Sequence, residues 1–502
     1  MWLLYKIVFV IFNILTFPLH LILFLSLIFL KIIVKLLARQ CQDFVGPIPG
    51  SSCVFLADNI WDNPHSSIVS ALELDGNVTK KCITDTLQNI YDVKNDIGER
   101  SYRELGYYPV RYFGYGFWKQ CENFNLADCV HELYEDQDPK VNEEPLPSIA
   151  ERMLRQSYLP ESPIWDIHLY HNFNGKPNRT LIFIRFHHLL ADGLSIVKLL
   201  HVGFGHTTFS TPVKPSTSMT QWDNLERSFL SKVKTILSVS TVGVVDYFDQ
   251  ILLSHDKNGI NYDSDGKLKI TGKWICSFGK RFDINDLTKA GRGYKCSVSH
   301  IFLAAMSTAM KNYFLKYHET DQVPDSFHII FPVPIPNHPD WRLVNHWTLA
   351  RIKTRLDIQE LQEQMEYLKE EAVRAANSPL PLITAFMFQR VCGILPTRLV
   401  NELSRAKASS TIVFSNLAGP QVPEKFGGAA VVDMFFWMPI VQQSIAVSAG
   451  LVSCNGGAHI CLTADLGCIP DRSRLDDLGM MIYDELQEIC KVARTDLTET
   501  LY

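Results

Sequence analysis

The chain has 502 residues, 47% of them hydrophobic and 20% charged, enough for a membrane segment and two domains of ordinary size. A formal net charge of −5 and a pI near 6.3 do not suggest a nucleic-acid binder. Twelve cysteines without a Cys-x-x-Cys pair point to reduced thiols rather than a disulfide framework.

From Ile7 to Leu30 there is no Asp, Glu, Lys or Arg. That run is long enough to cross a bilayer. It is too long, and lacks a small-residue cleavage site, for a signal peptide. Lys31, Lys35 and Arg39 follow it and only Lys6 precedes it, so the positive-inside rule puts the bulk of the chain in the cytosol. Pro18 allows a kinked span or a hairpin within one leaflet; length and flanking charge favour the span. The sequons Asn77-Val78-Thr79 and Asn178-Arg179-Thr180 are then unused; glycan on either would instead mark a secreted protein.

Residues 46–50 (Gly-Pro-Ile-Pro-Gly) read as a turn-rich linker. A strand is expected over 67–74 and a helix over 79–91. Residues 146–156 read as another helix, and 167–170 as a strand that turns at 174–177 into a central strand. That strand, 181–187, ends in His187 and His188. Asp192 and Gly193 follow, and then a helical pattern over 194–202. A neutral imidazole at a strand end can take a proton from an alcohol or thiol. No Gly-x-Ser-x-Gly elbow accompanies it. On local chemistry the histidine pair is catalytic, structural or metal-binding, and metal is the weak option because only Asp192 stands beside it. Asp192 can hold the turn through backbone N–H groups or pair with Arg185. Gly193 would allow a tight turn or close substrate approach.

Residues 207–220 are rich in Ser, Thr and Pro and read as a linker. Residues 225–254 are apolar with helical spacing, a packed helix or one that touches membrane. Residues 256–267 are polar and turn-rich, with disorder one option. A long helix opens near 296–300, where Ser299 can cap it. Strands are expected around 329–336, 435–437 and 459–465, a charged amphipathic helix over 357–377, a strand-end turn at 415–420 and a closing helix over 472–493.

His187-His188-Leu189-Leu190-Ala191-Asp192-Gly193 matches the His-His-x-x-x-Asp-Gly motif of the wax ester synthase/diacylglycerol acyltransferase family, part of the chloramphenicol acetyltransferase-like superfamily of coenzyme A-dependent acyltransferases. Other segments resemble the family in the same order: 54–59 with Asp58, 124–131 with His131, Pro163-Ile164-Trp165 for Pro-Leu-Trp, the strand at 329–336, Asn345 of a Gly-Asn pair in which Val344 replaces the Gly, and Ser415-Asn416-Leu417-Ala418-Gly419-Pro420. Ser299-His300 stands where the family usually has Asn-Asp.

The resemblance implies an α/β fold of two chloramphenicol acetyltransferase-like domains, mixed sheets flanked by helices, plus an N-terminal membrane helix. The bounds are 1–40 for the anchor, 45–205 for the N-terminal domain, 206–290 for a crossover linker and 291–495 for the C-terminal domain. The expected activity is O-acyl transfer from acyl-CoA to a long-chain alcohol or diacylglycerol, making wax ester or triacylglycerol. His188 would be the general base, with His187 and Asp192 completing the motif. Gly193, Trp165 and Asn416 are candidate substrate contacts. Trp165 can equally be core packing, and Asn416 can donate to the reacting carbonyl or hold its own turn. No metal and no cofactor beyond acyl-CoA as co-substrate is expected. The expected location is the endoplasmic reticulum membrane, with the domains facing the cytosol. A non-catalytic lipid-binding protein on the same fold is the alternative; acceptor and oligomeric state are not readable.

Overall fold

The computed structural model describes residues 2–95, 98–133, 144–206, 244–253, 256–318, 323–404, 410–438 and 445–499. Most of the apolar 225–254 segment and all of 207–220 lie outside them.

Trp2–Ala38 is one helix that continues through Pro18, so the hairpin option does not hold. Its Leu15–Ala38 part, with mean hydropathy 2.6, is long and apolar enough to cross a membrane. The expected linker is ordered differently: Phe44–Pro47 is a strand in a small antiparallel sheet with Tyr115–Gln120 and Tyr107–Tyr112. Gly50 then opens a short helix, where an added Cβ would stand 2.6 Å from the Phe388 carbonyl. Only glycine fits that close approach of two backbones.

Two large mixed sheets carry the rest. The first has six strands in the order Lys425–Phe426, Ala429–Trp437, Ser67–Asp75, Arg179–His187, Trp165–His171, Val130–Glu132. Its middle strands are buried on both faces, which explains their nearly continuous apolar runs. Helices Lys80–Asp92, Leu146–Arg155 and Gly193–Gly203 accompany it. The second sheet runs Trp347–Arg355, Ser326–Pro334, Ile412–Ala418, Val447–Cys454, Gly457–Asp465, Trp274–Phe278, with Phe282–Asp283 beside the fifth strand. Helices Ile284–Gly293, Val298–Tyr317, Leu361–Asn377 and Arg472–Glu499 cover it around a core that includes Phe302, Phe314, Phe327 and Phe414.

The sheets do not divide the chain at one point. Ala429–Trp437 leaves the second half and pairs antiparallel with Ser67–Asp75 in the first sheet. Trp274–Phe278 belongs to the second sheet. The polar 256–267 stretch is tied down: Asp256 is buried and accepts from the N–H groups of His328 (2.6 Å) and Thr411 (2.9 Å).

Candidate active site

The Arg179–His187 strand ends in a turn closed by His187. Leu189 N–H donates to His187 Nδ1 (3.1 Å), so the ring proton sits on Nε2 and is donated to Asp58 Oδ2, 2.9 Å away. Asp58 also accepts from the N–H of His65 and of Asn59, 2.8 Å each. Burial pushes its carboxyl up, but the hydrogen bonds from His187 and the His65 N–H outweigh this and hold it below the usual carboxylate range. His187 is wholly buried with both nitrogens engaged, and has none left for a substrate.

His188 meets a different set of groups. Its ring stacks on Phe55 at 4.2 Å, with Trp347 at 6.1 Å. Its Nδ1 lies 3.0 Å from Oδ1 of Asn345. The orientation of that amide is fixed by its other partners. Asn345 Nδ2 donates to the His188 carbonyl (2.7 Å) and to Ser52 Oγ (2.9 Å), and Trp347 Nε1–H donates to Oδ1 (3.2 Å). Exchanging O and N would set two acceptors against each other at the carbonyl and two donors at the indole. Asn345 Oδ1 is therefore an acceptor, His188 Nδ1 carries the proton, and Nε2 holds a lone pair. Among the described residues Nε2 has no hydrogen-bond partner, and His188 is partly exposed. Burial, opposed by the Asp192 charge and the Asn345 hydrogen bond, pushes the imidazole down to about 4, so it is neutral at pH 7.

Asp192 binds the turn to the second half. Its Oδ1 caps helix Gly193–Gly203 by accepting from Ser195 N–H (2.8 Å). Its Oδ2 accepts from His346 N–H (2.8 Å) and lies 3.0 Å from His338 Nε2. Its own N–H donates to the Val344 carbonyl (3.0 Å). Arg185 is not its partner: Arg185 is cross-strand from Asp166, and its Nε donates to that carboxylate at 2.8 Å. The two imidazoles of the motif do not converge on one centre, one being turned to Asp58 and the other to Asn345.

The remaining candidates are placed as follows. Gly193 has no positive φ; its need is space, since a Cβ would meet Leu417 at 3.2 Å. With Phe186, Leu417 and Met434 it lines a small apolar cavity of about 20 Å³ between the halves. Trp165 is buried with its indole N–H donated to the Leu105 carbonyl (2.8 Å), the packing option, and does not line that cavity. Asn416 is exposed and its amide donates to Ser299 Oγ (3.4 Å) rather than to its own turn. Ser299 is not the cap of its helix. Ser297 is, with its N–H (3.3 Å) and hydroxyl (2.6 Å) both on His300 Nδ1. His300 of the Ser299-His300 pair thus completes a capping box with Ser297, an imidazole in place of a carboxylate.

Asn345 gains its role only in the folded molecule. Its segment was singled out, but its contact with His188 spans 157 positions. Phe55, Trp347, His338 and His346 reach the motif from distant segments, so no local pattern around His187-His188 announces them.

A family model described as WS/DGAT C-terminal domain matches residues 345–489. O-acyltransferase WSD of Acinetobacter baylyi is 19% identical over 347 residues, covering 65% of this chain and 73% of its own. A wax ester synthase/diacylglycerol acyltransferase from Marinobacter aquaeolei VT8 shares the fold, with a TM-score of 0.55 at 17% identity over 89% of this chain and 100% of that one. The first condensation domain of the calcium-dependent antibiotic synthetase does so too, with a TM-score of 0.55 at 13% identity over 90% and 96%. Residues 345–489 thus carry the C-terminal domain of the wax ester synthase/diacylglycerol acyltransferase family, and the chain as a whole shares its fold with, and is similar in sequence to, O-acyltransferases of that type.

Proposed function

We propose that the chain is a membrane-anchored O-acyltransferase that moves a fatty acyl group from acyl-CoA to a long-chain alcohol or diacylglycerol, giving wax ester or triacylglycerol. The observation that carries this reading is the Asn345–His188 contact, which leaves an unprotonated Nε2 on a partly exposed, neutral imidazole. Nε2 takes the acceptor's hydroxyl proton as the oxygen attacks the thioester carbonyl. Asn345 Oδ1 stabilises the imidazolium through Nδ1–H. The tetrahedral oxyanion collapses, the C–S bond breaks, and His188 returns the proton to the departing coenzyme A thiolate. The reaction needs no covalent enzyme intermediate. His187 and Asp192 hold the turn through Asp58 on one side and the 338–346 loop on the other. The family's relatives support acyl-CoA and a lipid alcohol as the substrates. The apolar Leu15–Ala38 segment and the cations after it support anchoring with the domains in the cytosol, and the membrane we propose is that of the endoplasmic reticulum.

The test uses microsomes from cells expressing the chain, with empty-vector microsomes as control. They receive labelled palmitoyl-CoA and, separately, hexadecanol, diacylglycerol or cholesterol. Labelled wax ester or triacylglycerol above control is the expected result. No ester from any acceptor, with the protein folded and membrane-bound, would overturn the reading in favour of a lipid-binding protein.

A further inference from the structure

Apolar side chains project from the protein where the N-terminal helix meets it. Phe113, at the tip of the hairpin joining Tyr107–Tyr112 to Tyr115–Gln120, is 68% exposed. Phe386, on the apolar helix Leu380–Ile394, is 51% exposed, and Leu399, on the helix Thr397–Ser404, is 47% exposed. Hydrogen bonds and packing join these three elements to each other and to the N-terminal helix. Thr397 donates its N–H (2.8 Å) and hydroxyl (3.0 Å) to the Gly114 carbonyl, beside Phe113. Lys31 Nζ donates to the Gly393 carbonyl, and Val34 and Ala38 pack with Tyr115 and Phe117. Exposed cations border the same area: Lys35, Arg39, Arg390 and Arg398. Single exposed apolar residues need no explanation. A group of large ones, rimmed by cations and continuous with an apolar helix whose own side chains are mostly exposed, is the composition of a membrane-interface surface.

Helix Leu380–Ile394 also reaches the site. Phe388 packs edge-on against Trp347 (5.0 Å), the ring beside His188, and Gln389 Nε2 donates to the Asn345 carbonyl (3.3 Å). One helix therefore presents Phe386 and Arg390 outward and Phe388 and Gln389 to the residues that hold the imidazole.

We propose that Phe113, Phe386 and Leu399 sit in the boundary between headgroups and acyl chains of a lipid bilayer, and that the acceptor lipid passes from that bilayer along helix Leu380–Ile394 to His188. The inference rests on the reading of the N-terminal helix as a membrane anchor, and its route on the acyltransferase reading.

The test uses the full chain in phosphatidylcholine–phosphatidylserine vesicles containing a phospholipid with a photoactivatable acyl chain. After irradiation, labelled peptides are mapped. Peptides holding Phe113, Phe386 and Leu399 should be labelled besides the N-terminal helix; label confined to that helix would overturn the surface. Label in none of these segments would overturn the anchor as well. The route is tested with the triple variant Phe113→Asp, Phe386→Glu, Leu399→Glu. Its rate on hexadecanol dissolved in vesicles should fall about tenfold, since three buried apolar contacts with lipid are lost, while its rate in detergent micelles holds. An unchanged vesicle rate, or an equal loss in both systems, would overturn the route. A wild type without turnover would defeat the acyltransferase reading and the route with it, while the label map still decides the surface.

Discussion

His188 meets two opposed demands. It must be dry enough to stay neutral and open enough to meet a hydroxyl. Phe55 and Trp347 supply the first, and the unengaged Nε2 the second. The neutral imidazole is the active form, so activity is lost as pH falls through its pKa. With that pKa pushed down to about 4, kcat/KM should stay level from neutrality to about pH 5 and fall only near pH 4. Asn345→Asp places a carboxylate against Nδ1, favours the imidazolium and should move the acid limb toward neutrality; an unmoved limb would separate Asn345 from the titrating group. The limb must be read on folded enzyme. His188 binds its proton more weakly folded than unfolded, so this group withdraws stability as pH falls from about 6.5 toward about 4. Much of the site was legible at this scale, because His187, His188, Asp192 and Gly193 are local in sequence. Asn345 was not, because its function is a contact 157 positions away. The Arg185–Asp192 pairing failed because Arg185 points to its cross-strand neighbour Asp166 while Asp192 lies beyond the turn.

Helices and strands followed their periodicities well where one face is buried: Lys80–Asp92, Leu146–Arg155, Gly193–Gly203 and Leu361–Asn377 all stand near their expected bounds. Ends were harder to read, because a cap depends on one side-chain hydrogen bond. Helix Val298–Tyr317 is capped by Ser297 with His300, two residues before the serine expected to do it. His300→Ala should therefore cost about 1 kcal/mol and lower Tm by a degree or two. Turnover should be unchanged. A loss of turnover at unchanged Tm would give His300 a part in the reaction instead. The 46–50 segment failed as a linker for a similar reason. Its prolines and glycines read as loop, yet Phe44–Pro47 finds a partner in Tyr115–Gln120.

The two halves are held by an exchange that no local pattern announces. The apolar Ala429–Trp437 strand was legible as a strand, but not as a member of the first sheet, since pairing is a long-range property. Where it crosses, Phe436 lies over Gly450 of the second sheet, and an added Cβ would stand 2.8 Å from both the Phe436 carbonyl oxygen and its ring. Backbone cannot yield there as a flexible side chain can. Gly450→Val should lower Tm sharply or make the protein insoluble, since overpacking of this kind costs about 1–3 kcal/mol or more. A Tm within a degree or so of wild type would mean that the halves are more loosely joined than this packing implies. The exchange matters for function because Asn345, His346 and Asp192 meet only when the halves are docked.

The most direct measurement is kcat for purified His188→Ala beside wild type, with matched circular dichroism and Tm, on whichever acceptor the microsome panel identifies. A fall of roughly a hundredfold to ten-thousandfold is expected from loss of a general base. Near-wild-type turnover by the folded variant would contradict the assignment of proton transfer to His188.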